Sequence, residues 1–95
     1  MDLHVTLSAE GTSADHPLHE YFVQRYDRAV VLLRRAFEVA AAHGELRPGV
    51  DPEQAARMLV AATDGLQVQW LLAPDAVDMP ATLREYLTFI VAADL

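Results

Sequence analysis

The segment from position 44 to position 72 constrains the fold more than any other part of this 95-residue chain. Gly44 is suited to end a helix in the left-handed conformation, and the Pro-Gly pair at positions 48–49 predicts a turn. Asp51 followed by Pro52 is typical of a helix start, because the carboxylate can accept a hydrogen bond from a backbone amide and proline fits the first helical position. The sequence therefore predicts a helix that ends near position 43 and another over about residues 52–72.

The predicted helix over residues 52–72 is apolar on two sides. One face holds Ala55, Leu59, Ala62, Leu66 and Trp70. A second face holds Met58, Ala61, Gly65, Val68 and Leu72, and the narrow polar strip that remains consists of Glu53, Arg57, Asp64 and Gln67. A helix with two apolar sides must bury both of them. One side can cover the chain's own core, so the other predicts contact with a second protein surface.

Three further helices are predicted around this one. A long helix over about Pro17 to His43 repeats apolar residues at helical spacing, namely Leu18, Phe22, Tyr26, Ala29, Leu33, Phe37 and Ala40. A last helix begins after Asp78 and is expected to run to about Ala93, with Leu83, Leu87 and Ile90 on one stripe and Tyr86, Phe89 and Ala93 on the next. Residues Leu3 to Glu10 are typical of the end of another helix. The sequence thus predicts one all-α domain over residues 1–95, an antiparallel bundle of about four helices.

Composition narrows the classes of function. The net charge is −7, lysine is absent and the seven arginines are interleaved with acidic residues, so we do not expect this chain to bind DNA by itself. Cysteine is absent, which excludes disulfides and thiolate metal sites. No apolar run is long enough for a membrane span, and the N-terminus does not resemble a signal peptide. We expect a cytoplasmic protein without a membrane partner.

Three local patterns carry a family resemblance. They are the Gly44-x-Leu46-x-Pro48 turn, the Asp51-Pro52-x-x-Ala55-Ala56 helix start and Asp64-Gly65-Leu66 in mid-helix. In this order and spacing they resemble the C-terminal half of tetracycline-repressor (TetR) family transcriptional regulators, over about residues 3–90. The resemblance implies the sensing and homodimerising part of a bacterial repressor, which binds a small-molecule effector. No helix-turn-helix segment is found, so we expect DNA to be contacted only through an N-terminal domain that this chain lacks.

Two candidate sites follow from the predicted helices and the resemblance. Residues near the start of the long helix can line an apolar pocket, and the resemblance implies that this helix walls the effector cavity. The predicted pocket residues are Phe22, Arg25, Tyr26, Ala29, Leu59, Ala62 and Leu66, with Arg25 able to meet an acidic group on the ligand. The alternative is that Phe22 and Tyr26 are ordinary core residues and Arg25 is exposed.

The last two helices are predicted to form a dimeric four-helix bundle with those of a second copy. The predicted interface residues are Met58, Ala61, Gly65, Val68, Leu72, Thr82, Tyr86, Phe89 and Ala93. Gly65 either allows a partner helix to approach closely or is a tolerated weak position, because glycine costs about 1 kcal/mol of helix propensity relative to alanine.

Other classes of site have little support. His16 and His19 are three residues apart, but no further ligand completes a metal site. No nucleophile motif or phosphate-binding loop is present. We therefore expect no enzyme activity, cofactor or metal. A free-standing small helical module for protein–protein interaction is the alternative function.

Overall fold

The computed structural model describes residues 18–92, and within this range the fold is three helices with no strand. They are α1 (His19–Ala42), α2 (Pro52–Leu72) and α3 (Met79–Leu87). Helix α2 is the central element, because α1 and α3 both pack against it. The helix predicted over Leu3 to Glu10 lies outside the described residues. The all-α prediction is confirmed, and α2 has the predicted bounds.

The connector between α1 and α2 follows the predicted signals. Gly44 has a φ of +72°, and the Gly44 and Glu45 amides donate to the carbonyls of Ala41 and Ala40, which is a Schellman motif. Gly49 has a φ of +84°, and the Val50 amide donates to the Arg47 carbonyl across the Pro-Gly turn. The hydrogen bonds from Gly44 and Glu45 thus satisfy two of the carbonyls that the end of a helix leaves unpaired.

Aspartate side chains begin both later helices, as predicted. The Asp51 carboxylate accepts a hydrogen bond from the Gln54 amide at 3.1 Å. The Asp78 carboxylate accepts one from the Ala81 amide, also at 3.1 Å. In each case a proline occupies the first turn, where its missing N–H costs nothing.

The core lies between α1, from Val30 towards its C-terminal end, and the start of α2. Its buried members are Val30, Phe37, Ala55, Ala56 and Ile90. Partly buried residues surround them, namely Leu33, Leu46, Val50, Leu59, Val60, Tyr86, Leu87 and Val91. Ala56 is fully buried within this cluster, so a larger side chain would have to displace its neighbours. Val30 is buried although the predicted stripe of α1 omitted it.

The prediction that the last helix runs to Ala93 is wrong. Helix α3 ends at Leu87, and the chain turns over residues 88–90 before pairing with the α1–α2 connector. There Leu46 and Val91 form an isolated antiparallel bridge: the Arg47 amide donates to Ile90 O at 2.9 Å, and the Ala92 amide donates to Glu45 O at 2.6 Å. These hydrogen bonds satisfy connector groups that a continued helix would leave unpaired.

The pairing has a side-chain component as well. The Arg47 Nε donates to the Thr88 carbonyl at 2.7 Å. The connector and the chain after α3 are thus tied by backbone and side-chain hydrogen bonds, which brings Ile90 into the core beside α1 and α2. Phe89, one residue earlier, points outward and is 71% exposed.

Candidate functional site

A cleft of about 220 Å³ lies between α1 and α2. Its walls are mainly apolar, and its polar side chains come from both helices. The lining residues are Arg25, Tyr26, Ala29 and Leu33 from α1, and Val60, Thr63 and Asp64 from α2. A concave, mostly apolar site with a few polar groups is the usual make-up of a small-molecule site.

A short hydrogen bond crosses the cleft. The Tyr26 hydroxyl donates to Asp64 Oδ2 at 2.6 Å, and both side chains are half-buried. Hydrogen bonds to a carboxylate are shorter and roughly twice as strong as neutral ones. A second cleft, which Arg57 and Ala61 help to line, adjoins the same pair of side chains. Tyr26 and Asp64 therefore form a bridge between the helices with open space on both sides.

The structure brings together part of the predicted pocket. Arg25, Tyr26 and Ala29 line the cleft, as the face of α1 predicted. Phe22 does not line it: this side chain is buried, with its ring edge-on to that of Tyr21 at 5.2 Å between centroids. On α2, Leu59 packs against the core.

The remaining predicted pocket residues lie elsewhere on α2. Ala62 and Leu66 line a different cleft of about 300 Å³, between α2 and α3. The α2 wall of the first cleft is instead Val60, Thr63 and Asp64, so α2 is rotated relative to the sequence-based expectation. The sequence pattern places Asp64 in the polar strip of α2. Asp64 lies one helical turn after Val60 and among apolar residues. This position in the sequence could have indicated that its carboxylate faces another helix.

The predicted interface residues mostly lie on the surface of the single chain. Met58, Leu72 and Phe89 are 56%, 81% and 71% exposed. Ala61, Gly65 and Thr82 are also exposed, and Val68 is half-buried. Tyr86 differs from the others, because it packs against the core. Ala93 lies outside the described residues.

Gly65 has no close neighbour within the described part of the chain. Apart from its chain neighbours and the nearby backbone of α2, a Cβ atom at this position would meet no described atom within 4 Å, although Gly65 lines the cleft between α2 and α3. The packing inside one protomer therefore does not require glycine here. Trp70, which the sequence pattern places on one face of α2 with Ala55 and Leu59, is 45% exposed and lies on the last turn of the helix.

The sequence of the chain matches a known protein family. A family model described as the C-terminal domain of BetI-type transcriptional repressors matches residues 3–92. The chain belongs to this family. Membership in the BetI-type C-terminal domains confirms the resemblance to the TetR family, whose regulators act as dimers with small-molecule effectors. No curated protein and no solved structure matches the chain.

Two kinds of feature are absent from residues 18–92 of this BetI-type domain. None of its helices combines the length and the apolar character that crossing a bilayer needs. No cluster of three or more histidine or acidic side chains that could hold a metal occurs in this range. His19 begins α1, and His16 lies outside the described residues.

Proposed function

We propose that this BetI-type domain is the effector-sensing and homodimerising part of a cytoplasmic bacterial transcriptional repressor. The repressor would read its operator through an N-terminal domain separate from this chain. The observation that supports dimerisation most directly is the exposed apolar side of α2. A face of this kind is typical of a protein–protein contact.

A largely exposed apolar side of α2 has the properties of a helix interface. Met58, Ala61, Gly65, Val68 and Leu72 follow one another at spacings of three or four residues, so they share one face. Ala61 and Gly65 are small, which would allow a partner helix to approach closely. Two helices from each of two protomers can close into a four-helix bundle around a two-fold axis.

The α3 side of the proposed interface continues this surface. Thr82 and Tyr86 line the cleft between α2 and α3 together with Gly65. Phe89 stands beyond the end of α3 with most of its ring exposed. Burying such a ring against a second copy would stabilise the dimer by roughly 1.5–3 kcal/mol per side chain.

Substitutions on this surface test the dimer. Phe89→Arg should place an unpaired charge in the interface and raise the dimer dissociation constant by about 100-fold or more. Gly65→Leu should separate the two α2 helices and act in the same direction. The monomer should keep its helices in both variants, because neither position is packed in the single chain. Sedimentation velocity over a range of concentrations measures the effect.

The matched control is Leu32→Arg. Leu32 is 70% exposed, like Phe89, but it lies on α1 and outside the proposed interface. Its substitution should leave the dimer intact. A wild-type chain that stays monomeric at high micromolar concentration contradicts the proposal and favours the free-standing interaction module.

The cleft between α1 and α2 is the proposed effector site. An apolar or aromatic small molecule would bind there and stabilise one conformation of the dimer over another. Because α2 contributes to the cleft on one side and to the proposed interface on the other, a change in the spacing of α1 and α2 can reach the partner protomer. That change would alter the separation of the two DNA-reading domains.

The isolated chain should not bind DNA in a sequence-dependent way. Its net charge of −7 opposes contact with phosphates, which provide most of the affinity in protein–DNA complexes. Fluorescence anisotropy with duplex DNA at physiological salt should show no saturable binding at micromolar protein. Tight binding that differs between sequences would contradict the assignment of DNA recognition to another domain.

A further inference from the structure

The polar contact inside the cleft indicates the chemistry of the molecule that fits it. A phenol, the side chain of Tyr26, donates a hydrogen bond to the Asp64 carboxylate and lines the cleft beside Ala29 and Val60. We infer that the cleft takes a small phenol, a neutral aromatic ring with a hydroxyl group, which displaces the Tyr26 side chain and donates its hydrogen bond to Asp64. This inference rests on the proposed effector-sensing function and specifies its ligand.

The size of the cleft favours a molecule with a single ring. Sites for drug-sized ligands have volumes of about 300–1,000 Å³, whereas this cleft has about 220 Å³. Ala29, Leu33 and Val60 offer apolar contact to a ring. Displacement of the Tyr26 side chain would enlarge the space, because the same side chain also lines the adjoining cleft.

The hydroxyl is required because Asp64 is half-buried. A purely apolar ligand that displaced Tyr26 would remove a hydrogen bond from the carboxylate and replace it with nothing, which is unfavourable for a partly desolvated acceptor. A phenol exchanges one hydroxyl donor for another. A ligand carboxylate would put a second negative charge next to Asp64, although Arg25 on the same wall could attract it.

The exchange also gives the ligand a way to act on the protein. The Tyr26–Asp64 hydrogen bond joins α1 to α2 across 38 positions of the sequence. A bound phenol would replace the hydrogen bond from Tyr26 to Asp64 while releasing α1 from this bridge. The ligand would then favour the conformation in which the two helices are not joined there.

Three probes with the same ring distinguish a phenol from a purely apolar ligand and from a ligand carboxylate. They are p-cresol, toluene and 4-methylbenzoate. They are titrated by NMR into the full wild-type chain, Tyr26→Ala, Tyr26→Phe and the double variant Tyr26→Ala/Asp64→Ala. In Tyr26→Ala, p-cresol should bind about 10-fold more tightly than toluene, because a hydrogen bond to a charged group is worth roughly that factor or more. The double variant should lose this preference. The wild type should bind p-cresol more weakly than Tyr26→Ala does, because its own phenol competes.

Tyr26→Phe keeps the aromatic ring and is the control for a folding defect in Tyr26→Ala. It should rank the probes in the same order. Equal binding of p-cresol and toluene, tighter binding of 4-methylbenzoate, or no binding of any probe by either single variant would overturn the inference. The sedimentation test does not depend on this result. A chain that is dimeric but does not bind p-cresol would contradict the ligand assignment and still support the proposed dimer.

Discussion

Phe37→Ala is expected to lower the free energy of unfolding of the chain by about 3–5 kcal/mol. Phe37 is 6% exposed and packs in the core formed by α1, the start of α2 and the chain after α3. Truncation of a buried ring removes its transfer free energy and leaves a cavity that the surrounding side chains fill only partly. A small domain has about 5–15 kcal/mol of stability in total, so this single change removes a large share.

Urea denaturation followed by circular dichroism measures the effect as a lower midpoint with little change in slope. Leu32→Ala on the same helix is the control, because Leu32 is 70% exposed and its truncation should change stability by no more than about 0.5 kcal/mol. Equal losses for the two variants would mean that α1 buries a different face.

Ile90→Ala is expected to cost about 2–5 kcal/mol, although Ile90 lies outside the three helices. Its side chain is 7% exposed and belongs to the same buried cluster as Phe37. Its carbonyl accepts the hydrogen bond from the Arg47 amide, so loosening the side chain also weakens the pairing between the connector and the chain after α3. Both effects lower the stability of the folded chain.

Phe89→Ala is the neighbouring control. The aromatic ring is larger than the isoleucine side chain, but it is mostly exposed in the single chain. Thermal unfolding is compared at a concentration where sedimentation finds only monomers, since dimer formation would add to apparent stability. Under these conditions Ile90→Ala should lower the midpoint and Phe89→Ala should not. The reverse order would contradict the position of residues 88–92.

The helix boundaries around the connector could be predicted because their causes are local. Gly44 has the left-handed backbone conformation that glycine adopts more readily than other residues. The Asp51 and Asp78 side chains accept hydrogen bonds from amides three residues further along the chain. Interactions over three or four residues depend on residue type and order alone. For the same reason the sequence predicted both ends of α2.

The end of α3 could not be predicted in this way. The apolar repeat of Leu83, Leu87 and Ile90 continues through the point where the helix stops, so periodicity alone favoured continuation. Pairing of the chain after α3 with residues 45–47, about 45 positions away, competes with the helix and prevails. A contact over that separation has no signal in the local pattern.

The sequence by itself determined the all-α class, the caps, the family resemblance and the α1 side of the cleft, through Arg25, Tyr26 and Ala29. Only the tertiary structure decided which residues of α2 face them. A helix that is apolar on two sides can be rotated between several positions with little change in buried apolar area, because the hydrophobic effect is non-directional. The hydrogen bond between Tyr26 and Asp64 is directional, and it accompanies a rotation that places Val60, Thr63 and Asp64 opposite α1.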